Sequence, residues 1–369
     1  MNQEMFLSVM NKVIKGEKDT FSGDISETIS MFKNHSLVNY LYPVFNLDEF
    51  RKYYFGAMQI NTNVDYEISK LKEKLNEAKI PHIFIKGYYL KTLYPDENLR
   101  VMGDVDFLVP VDKKEETLNI IKSLGFKNEL EGDKHTGFFK GKVMIEAHFS
   151  LQNDPDTESN GYFKNPFEHT ENINSYTYKL EDTYHLVFLV SHFAHHMLNG
   201  GSGMRIFSDL YVYMNKVNFD YKYLEEELKK AGYLKLFHSL LTAVEKIFNY
   251  VPYQFSRTEN IDVFINHILK CGTHGFSETN NQSLNQVSGR KNKLAYLLSV
   301  LFLPAKTMKK NYLILNKLLF LLPFLYVKRF FDLLFKKRSR KRAKDVILVQ
   351  QKEVKEIKEL YKNVGLLSE

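Results

Sequence analysis

The sequence predicts an α+β fold, in which a small mixed β-sheet core is embedded in an α-helical body. Apolar residues recur at helical spacing toward both ends of the chain, whereas residues 80–180 alternate short strand-like runs with one helix. This central segment is short for a domain, so we expect its sheet to pack against the flanking helices. The predicted division is an N-terminal helical segment (1–79), a mixed α/β core (80–180) and a C-terminal helical domain (181–369).

Local patterns predict several individual elements. Residues 45–50 and 64–79 carry apolar side chains at helical spacing. A helix is predicted over 112–124, and it ends in Gly125 because glycine readily adopts the left-handed backbone found after helices. The polar stretch at 272–289, which contains glycine, serine and asparagine, predicts a flexible loop.

Composition and charge exclude several classes of protein. The 44% hydrophobic content is too high for a disordered chain. The single cysteine, Cys271, excludes a disulfide framework and suits a reducing cytoplasm, and we expect no secretion signal at the N-terminus. Nine Lys and Arg residues stand between Lys328 and Lys344 against one acid, and they account for much of the net charge of +7. This localised charge makes nucleic acid an unlikely partner.

Two acids on one predicted strand are the first candidate functional feature. The run from Gly103 to Pro110 is apolar except for Asp104 and Asp106. Side chains of a strand alternate between its faces, so these two carboxylates share one face and repel each other. Mg²⁺ or Mn²⁺ would relieve that repulsion, because both bind hard oxygen ligands. The alternative is a pair of ordinary loop acids.

A strand-like run at 82–85 is followed by Lys86-Gly87 and by a predicted short helix at 88–94. A strand, a glycine turn and a helix N-terminus together present free backbone N–H groups that bind anions. Lys86 would add a positive charge to such a site. The alternative is a plain strand-to-helix turn with a solvated lysine.

A second acidic strand follows the first in sequence. Met144, Glu146 and His148 share one predicted strand face, opposite an apolar face. If this strand lies beside the first, Glu146 completes a trio with Asp104 and Asp106, either as a metal ligand or as a proton acceptor. The alternative is an edge strand with a wet outer face.

The order of these segments resembles the bacterial uncharacterised nucleotidyltransferase family, within the DNA polymerase β-like nucleotidyltransferase superfamily. The matching patterns are Lys-Gly before a helix, Arg-x-Met-Gly-Asp-x-Asp-Phe-Leu-Val at 100–109, Ile-Glu-x-His at 145–148, His-Phe-Ala-His-His at 192–196, the glycine loop and helix start at 200–209, and the segment 303–329. The wider superfamily has Gly-Gly or Gly-Ser before its helix, with a hydroxyl on the triphosphate. Here Tyr88 follows Gly87, so the serine hydroxyl of that pattern does not follow the glycine.

The resemblance implies a metal-dependent nucleotidyltransferase with its core at 80–180. It would move a nucleoside monophosphate group from a nucleoside triphosphate, by default ATP, to a hydroxyl or phosphate acceptor and release pyrophosphate. Asp104 and Asp106 would hold Mg²⁺, and Glu146 would hold a second metal or deprotonate the acceptor. The predicted nucleotide-binding residues are Lys86, Gly87, Arg100, Gly103, His148, His196, Arg205 and Asp209. The alternative is a catalytically silent nucleotide-binding or regulatory protein. The sequence does not identify the acceptor, which could be a small molecule, a sugar, a peptide or a protein.

Histidines cluster on a predicted helix of the C-terminal half. His192, His195 and His196 stand at i, i+3 and i+4, and His185 stands two turns earlier, so they could share a helix face. The alternatives are a face that lines the nucleotide site, a zinc site that needs a further ligand, and histidines without chemical duty.

The glycine-rich loop before Met204 suggests a helix start that Ser202 could cap. Arg205 and Asp209 are one turn apart on that helix. Arg205 would either grip a phosphate in fork geometry or pair with Asp209. Arg100, just before the Asp-x-Asp strand, likewise has either a phosphate-binding or a structural role.

The run 318–327 is strongly apolar but only ten residues long, whereas a membrane-spanning helix needs about 20. Lys317 and Lys328 bracket it and Pro323 would kink it. It is either a buried helix pair or an interfacial segment. In the second case the following cations favour anionic lipid, and residues 318–344 form a peripheral membrane contact.

Overall fold

The computed structural model describes residues 3–131, 135–151, 161–272, most of 302–335, and 351–367. The helices in these residues are α1 (Gln3–Lys15), α2 (Ile25–Asn34), α3 (Leu41–Phe45), α4 (Asp48–Glu77), α5 (Lys86–Leu90), α6 (Lys114–Ser123), α7 (Asp182–Asn199), α8 (Arg205–Lys216), α9 (Tyr221–Lys230), α10 (Leu234–Phe248), α11 (Ile261–Cys271), α12 (Leu322–Phe335) and α13 (Gln351–Asn363). The strands are β1 (His82–Phe84), β2 (Val105–Leu108), β3 (Lys127–Glu131), β4 (His135–Lys140), β5 (Val143–His148), β6 (Thr170–Asn174) and β7 (Thr177–Leu180).

These strands form one mixed sheet in the order β3-β4-β5-β2-β1-β7-β6. β2 is parallel to β5 and antiparallel to β1, so the two acid-bearing strands are neighbours near the centre of the sheet. The sheet together with the surrounding helices confirms the predicted α+β class, with a small mixed sheet in an α-helical body.

One face of the sheet packs under the N-terminal half of the chain. Ile68 and Leu71 of α4 and Ile121 of α6 are fully buried in a core that they share with Phe107 of β2 and Ile145 of β5. Apolar burial of this kind is the main favourable term in folding, so α4 stabilises the sheet directly.

The opposite face of the sheet turns toward the C-terminal helices. Ile83 of β1 and Leu108 of β2, which are partners in the sheet, belong to a larger core with Val187 of α7 and Leu240 of α10. Phe6 of α1 lies in the same core, which therefore joins side chains from all three predicted segments. The domain boundaries at 79/80 and 180/181 stay predictions.

Two helix boundaries differ from the sequence prediction. The stretch 45–50 is not one helix, because Asn46 is left-handed (φ 52°) and separates α3 from α4. Asparagine tolerates this conformation better than most residues. The helix predicted at 88–94 begins earlier, at Lys86, and continues as a 3₁₀ turn over Lys91–Leu93. The helix predicted over 112–124 is α6, and Gly125 follows it with φ 85°, as expected.

The C-terminal region is described in part. The predicted loop at 272–289 lies, from residue 273 on, outside the described residues, and so does the basic run from residue 336 to 344. Within the described residues, no helix combines the length and the apolar character needed to cross a membrane.

Candidate active site

The acid cluster lies on the sheet face that turns toward the C-terminal helices. Asp106 of β2 is opposite Glu146 of β5, and Leu108 is opposite His148. Because side chains alternate along each strand, Asp106 shares the face of Leu108, and Glu146 and His148 project to the same side. Asp106 is only 5% exposed.

One group of potential metal ligands emerges within the described part of the chain. The ligating atoms of Asp106, Glu146 and His148 all lie within 4.8 Å of one another. The sequence placed Asp106 and Glu146 in such a group with Asp104, and it placed His148 with the nucleotide. The structure therefore adds a nitrogen donor to the predicted carboxylates, and Asp104 stands beside the group.

The cluster carries its own counterions. Lys86 Nζ donates a hydrogen bond to Asp106 Oδ1 at 2.7 Å, and His148 Nε2 donates to the same oxygen at 2.7 Å. Burial alone would raise the pKa of Asp106, but Lys86 and His148 hold it far below its usual value. Asp106 is therefore a carboxylate at any physiological pH.

The pKa values of the other two acids, Asp104 and Glu146, are shifted in opposite directions. Burial, followed by the negative charges of Asp106 and Glu146, raises the pKa of Asp104 to about 6. A hydrogen bond from His148 lowers the pKa of Glu146. Asp104 is thus the acid that bears the repulsion of the cluster, and a nearby divalent cation would relieve it.

Lys86 reaches the cluster from a strained backbone. Its φ of 52° places a residue with a Cβ in the left-handed region, which is uncommon outside glycine. Its backbone N–H donates to Nε2 of His185 on α7 at 3.2 Å. Burial lowers the pKa of His185 to about 3, so the imidazole is neutral and its Nε2 can accept this bond.

A hydrogen-bond chain fixes His185 in turn. Its Nδ1 lies 3.2 Å from the hydroxyl of Tyr213 on α8, and that hydroxyl donates to the Asp182 carboxylate at 3.1 Å. The turn at Lys86 is thus held by two helices of the C-terminal half. Sequence reasoning singled out His185 only as part of a histidine face and missed Tyr213 and Asp182, because no local pattern marks a contact between distant segments.

Gly87 has a packing role. A Cβ at this position would lie 2.9 Å from Met102 Cγ and 3.2 Å from two guanidinium nitrogens of Arg100. Only glycine allows so close an approach. The sequence interpretation, in which Gly87 exposes its backbone to phosphate, stays a prediction.

We expect Gly87→Ala to destabilise the fold by about 1–3 kcal/mol, the usual cost of overpacking a well-packed site. Urea unfolding monitored by circular dichroism measures the change. Gly103→Ala is the matched control, because a Cβ there meets nothing within 4 Å. Equal stability of the two variants would contradict the packing role.

Arg100 and Asp209 bind each other in a buried pair. Arg100 Nε donates to Asp209 Oδ1 at 2.7 Å and Nη2 to Oδ2 at 3.0 Å, which is the bidentate geometry of strong carboxylate pairs. The hydroxyl of Tyr94 also donates to Oδ1, at 2.7 Å. Arg100 and Asp209 thus have a structural partner in each other, and the nucleotide-binding role predicted for each stays a prediction.

Arg205 does not pair with Asp209. Its Nη2 donates to the Ser36 carbonyl at 3.0 Å, and burial, followed by the charge of Arg100, lowers its pKa to about 10. Asp209 is bound instead by Arg100 and Tyr94. The predicted Ser202 cap is wrong as well, because α8 follows Met204 without a side-chain cap.

The predicted histidine face divides into separate contacts. His192 and His196 share a hydrogen bond between their Nε2 atoms at 2.9 Å, whereas His195 contacts Asn199. Burial and the charge of Lys86 lower the pKa of His196 to about 4. The charges of Asp106 and Glu146 act on this pKa as well, so the histidine pair lies within electrostatic range of the acid cluster. Within the described residues no third ligand joins the pair, so the zinc alternative gains no support.

A family model described as uncharacterised nucleotidyltransferase matches residues 32–249, which is more than half of the 369 residues. No curated protein matches the chain. Among solved structures, the solution structure of the antibiotic-resistance factor ANT(2'')-Ia is 13% identical, and the match covers 51% of this chain and 97% of that chain. Its TM-score of 0.35 is too low for the likeness to bear on fold or function.

Proposed function

The chain belongs to the uncharacterised nucleotidyltransferase family, and on this basis we propose a metal-dependent transfer of a nucleoside monophosphate group. The donor is a nucleoside triphosphate, the acceptor presents a hydroxyl or phosphate group, and pyrophosphate leaves. One observation carries the proposal: Asp106 and Glu146 are in register on adjacent strands, and Lys86 and His148 both donate hydrogen bonds to the Asp106 carboxylate.

The donor set suits a divalent cation. Carboxylate oxygens are the ligands that Mg²⁺ and Mn²⁺ prefer, and the raised pKa of Asp104 records a repulsion that such a cation would relieve. We assign the metal to Asp104, Asp106 and Glu146, and His148 could add a ligand only after Nε2 gives up the hydrogen that it donates to Asp106. When bound, the cation would neutralise charge on the phosphate oxygens and stabilise the leaving group.

The other residues bind and orient the reactants. The acceptor oxygen would attack the α-phosphorus in line, the bond from that phosphorus to the bridging oxygen of pyrophosphate would break, and the proton of a hydroxyl acceptor would pass to water. Lys86 would contact the triphosphate, and His196, with His192, would line the site from α7. The lowered pKa of Glu146 suits a ligand better than a base. Arg100 and Asp209 bind each other and Arg205 binds the Ser36 carbonyl, so their predicted nucleotide-binding roles do not enter the proposal.

The test is calorimetric titration of the purified protein with each nucleoside triphosphate, with and without Mg²⁺, followed by a screen for pyrophosphate release. We expect binding that needs the metal and release that needs an acceptor. Binding without release for every acceptor would favour the catalytically silent alternative. No binding of any triphosphate, with or without candidate acceptors, would contradict the proposal.

A second observation favours peripheral membrane contact. α12 and the 3₁₀ turn before it (Leu319–Leu321) present exposed apolar residues that recur at helical spacing. Their exposed fractions are 68% for Phe320, 69% for Phe324, 56% for Val327 and 51% for Phe331. In sequence, this face is followed by the basic run that ends at Lys344. An apolar face next to clustered cations is typical of segments that bind anionic lipid surfaces.

We therefore expect the protein to float with anionic vesicles at low salt and less so with neutral ones. The double variant Phe324→Ser with Phe331→Ser should lose most of this binding. Phe55→Ser is the matched control, because Phe55 is a similarly exposed phenylalanine on α4, 43% exposed. Equal loss in both, or no flotation of the unaltered protein, would exclude the lipid contact.

A further inference from the structure

We propose that the Lys86 ammonium is a built-in placeholder for the metal, which occupies Asp106 in the nucleotide-free protein and passes to the triphosphate when the cation binds. The inference rests on the proposed function. It adds an exchange of partners at the site, which neither the family membership nor the sequence motif specifies.

The first support is the contact itself. Lys86 Nζ lies 2.7 Å from Asp106 Oδ1, and the side chains are 14% and 7% exposed. A carboxylate so deeply buried requires a cationic partner, since an unpaired buried charge is very costly. Lys86 neutralises the charge of Asp106 in this structure. A divalent cation bound to Asp106 would neutralise that charge instead, and the ammonium would then be free to leave.

The second support is how Lys86 is anchored. Its backbone is fixed by the N–H bond to His185 and by the left-handed turn, whereas its ammonium is held by Asp106. The side chain can therefore change partner by rotation about its own bonds, without any movement of the turn. A flexible lysine stem suits such an exchange better than a planar guanidinium.

The third support is a contrast with the nearest arginine. Arg100 is bound by Asp209, which lies outside the acid cluster, so a metal on Asp106 would not release it. Lys86 loses its partner at the moment when the triphosphate, with its negative charges, arrives with the metal. Release of the ammonium and arrival of the nucleotide are thus coupled through one carboxylate.

The test measures Mn²⁺ affinity by electron paramagnetic resonance without nucleotide, in the full-length protein and in Lys86→Met. We expect the variant to bind Mn²⁺ about tenfold more tightly, because a competing positive charge at hydrogen-bond distance has been removed. It should also bind the metal–triphosphate complex more weakly. Lys140→Met is the matched control: Lys140 Nζ pairs with Glu67 at 2.8 Å outside the cluster, and its loss should leave Mn²⁺ affinity unchanged.

Unchanged or weaker Mn²⁺ affinity in a folded Lys86→Met protein would overturn the placeholder and leave the proposed function standing. Absence of Mn²⁺ binding in both proteins would instead remove the metal site on which both proposals rest. If Lys86→Met does not fold, the test is made on the unaltered protein by nuclear magnetic resonance, with the lysines labelled by ¹³C-methylation. The Lys86→Arg variant identifies the Lys86 signal, because that signal is missing from its spectrum. We expect the Lys86 signal to shift on saturation with Mg²⁺ alone, and no shift would overturn the proposal.

Discussion

Asp106→Asn is expected to lower the rate of pyrophosphate release by the folded protein about a thousandfold, and to cost some stability because Lys86 and His148 lose a charged partner. The side chain accepts hydrogen bonds from Lys86 and His148 and stands in register with Glu146. An amide keeps the shape but removes the charge that binds a cation. Metal stabilisation of the transition state contributes several kcal/mol, and each 1.36 kcal/mol corresponds to a factor of ten in rate. The measurement is pyrophosphate release at saturating nucleotide, with urea unfolding to verify the fold.

Asp209→Asn is the matched control for this variant. Asp209 is another buried aspartate with a cationic partner, but its partner is Arg100 and it lies outside the acid cluster. We expect this control to lose stability, because it leaves a buried arginine underpaired, and to keep metal-dependent nucleotide binding in the folded fraction. Loss of binding in Asp209→Asn with retention in Asp106→Asn would move the nucleotide site to the buried arginines.

The sequence predicted the neighbourhood of Asp106 well for a physical reason. In β2 Asp106 lies between Val105 and Phe107, and in β5 Glu146 lies between Ile145 and Ala147, so the period of two fixes which side chains share a face. Glu146 and Asp106 therefore had to project to one side once their strands were adjacent. The adjacency itself was a condition of the prediction, and the parallel pairing of β2 with β5 supplies it.

The partners of the arginines and of Lys86 could not be predicted in the same way. Asp209 is 109 residues from Arg100 and His185 is 99 residues from Lys86, so no local spacing reports either contact. The spacing of Arg205 and Asp209 suggested a pair on one helix, but packing brought a better-placed guanidinium from the segment before β2. The left-handed backbone at Lys86 could not be predicted either, because lysine is not among the residue types that commonly adopt it.

Asp104→Asn is expected to make the metal-free protein more stable at pH 8 and to abolish turnover. Burial, followed by repulsion from Asp106 and Glu146, raises the pKa of Asp104 from its ordinary 3.8 to about 6. The folded state therefore holds the proton more strongly than the unfolded state. The stabilisation of the fold that comes from this bound proton is complete below about pH 4 and is lost as the pH rises through 6. A pKa difference of about 2 corresponds to about 3 kcal/mol, and asparagine, which carries no charge, avoids that loss.

The measurement is urea unfolding of both proteins at pH 4 and pH 8 in the presence of a chelator. The variant should gain about 1–3 kcal/mol over the unaltered protein at pH 8, and the gap should narrow at pH 4. Saturating Mg²⁺ is the internal control, because a bound cation neutralises the repulsion and should remove the gap at pH 8. A constant difference at both pH values would show that Asp104 does not bear the repulsion. A carboxylate that costs stability without metal and is needed for turnover is retained for chemistry, since the fold alone would be better served by asparagine.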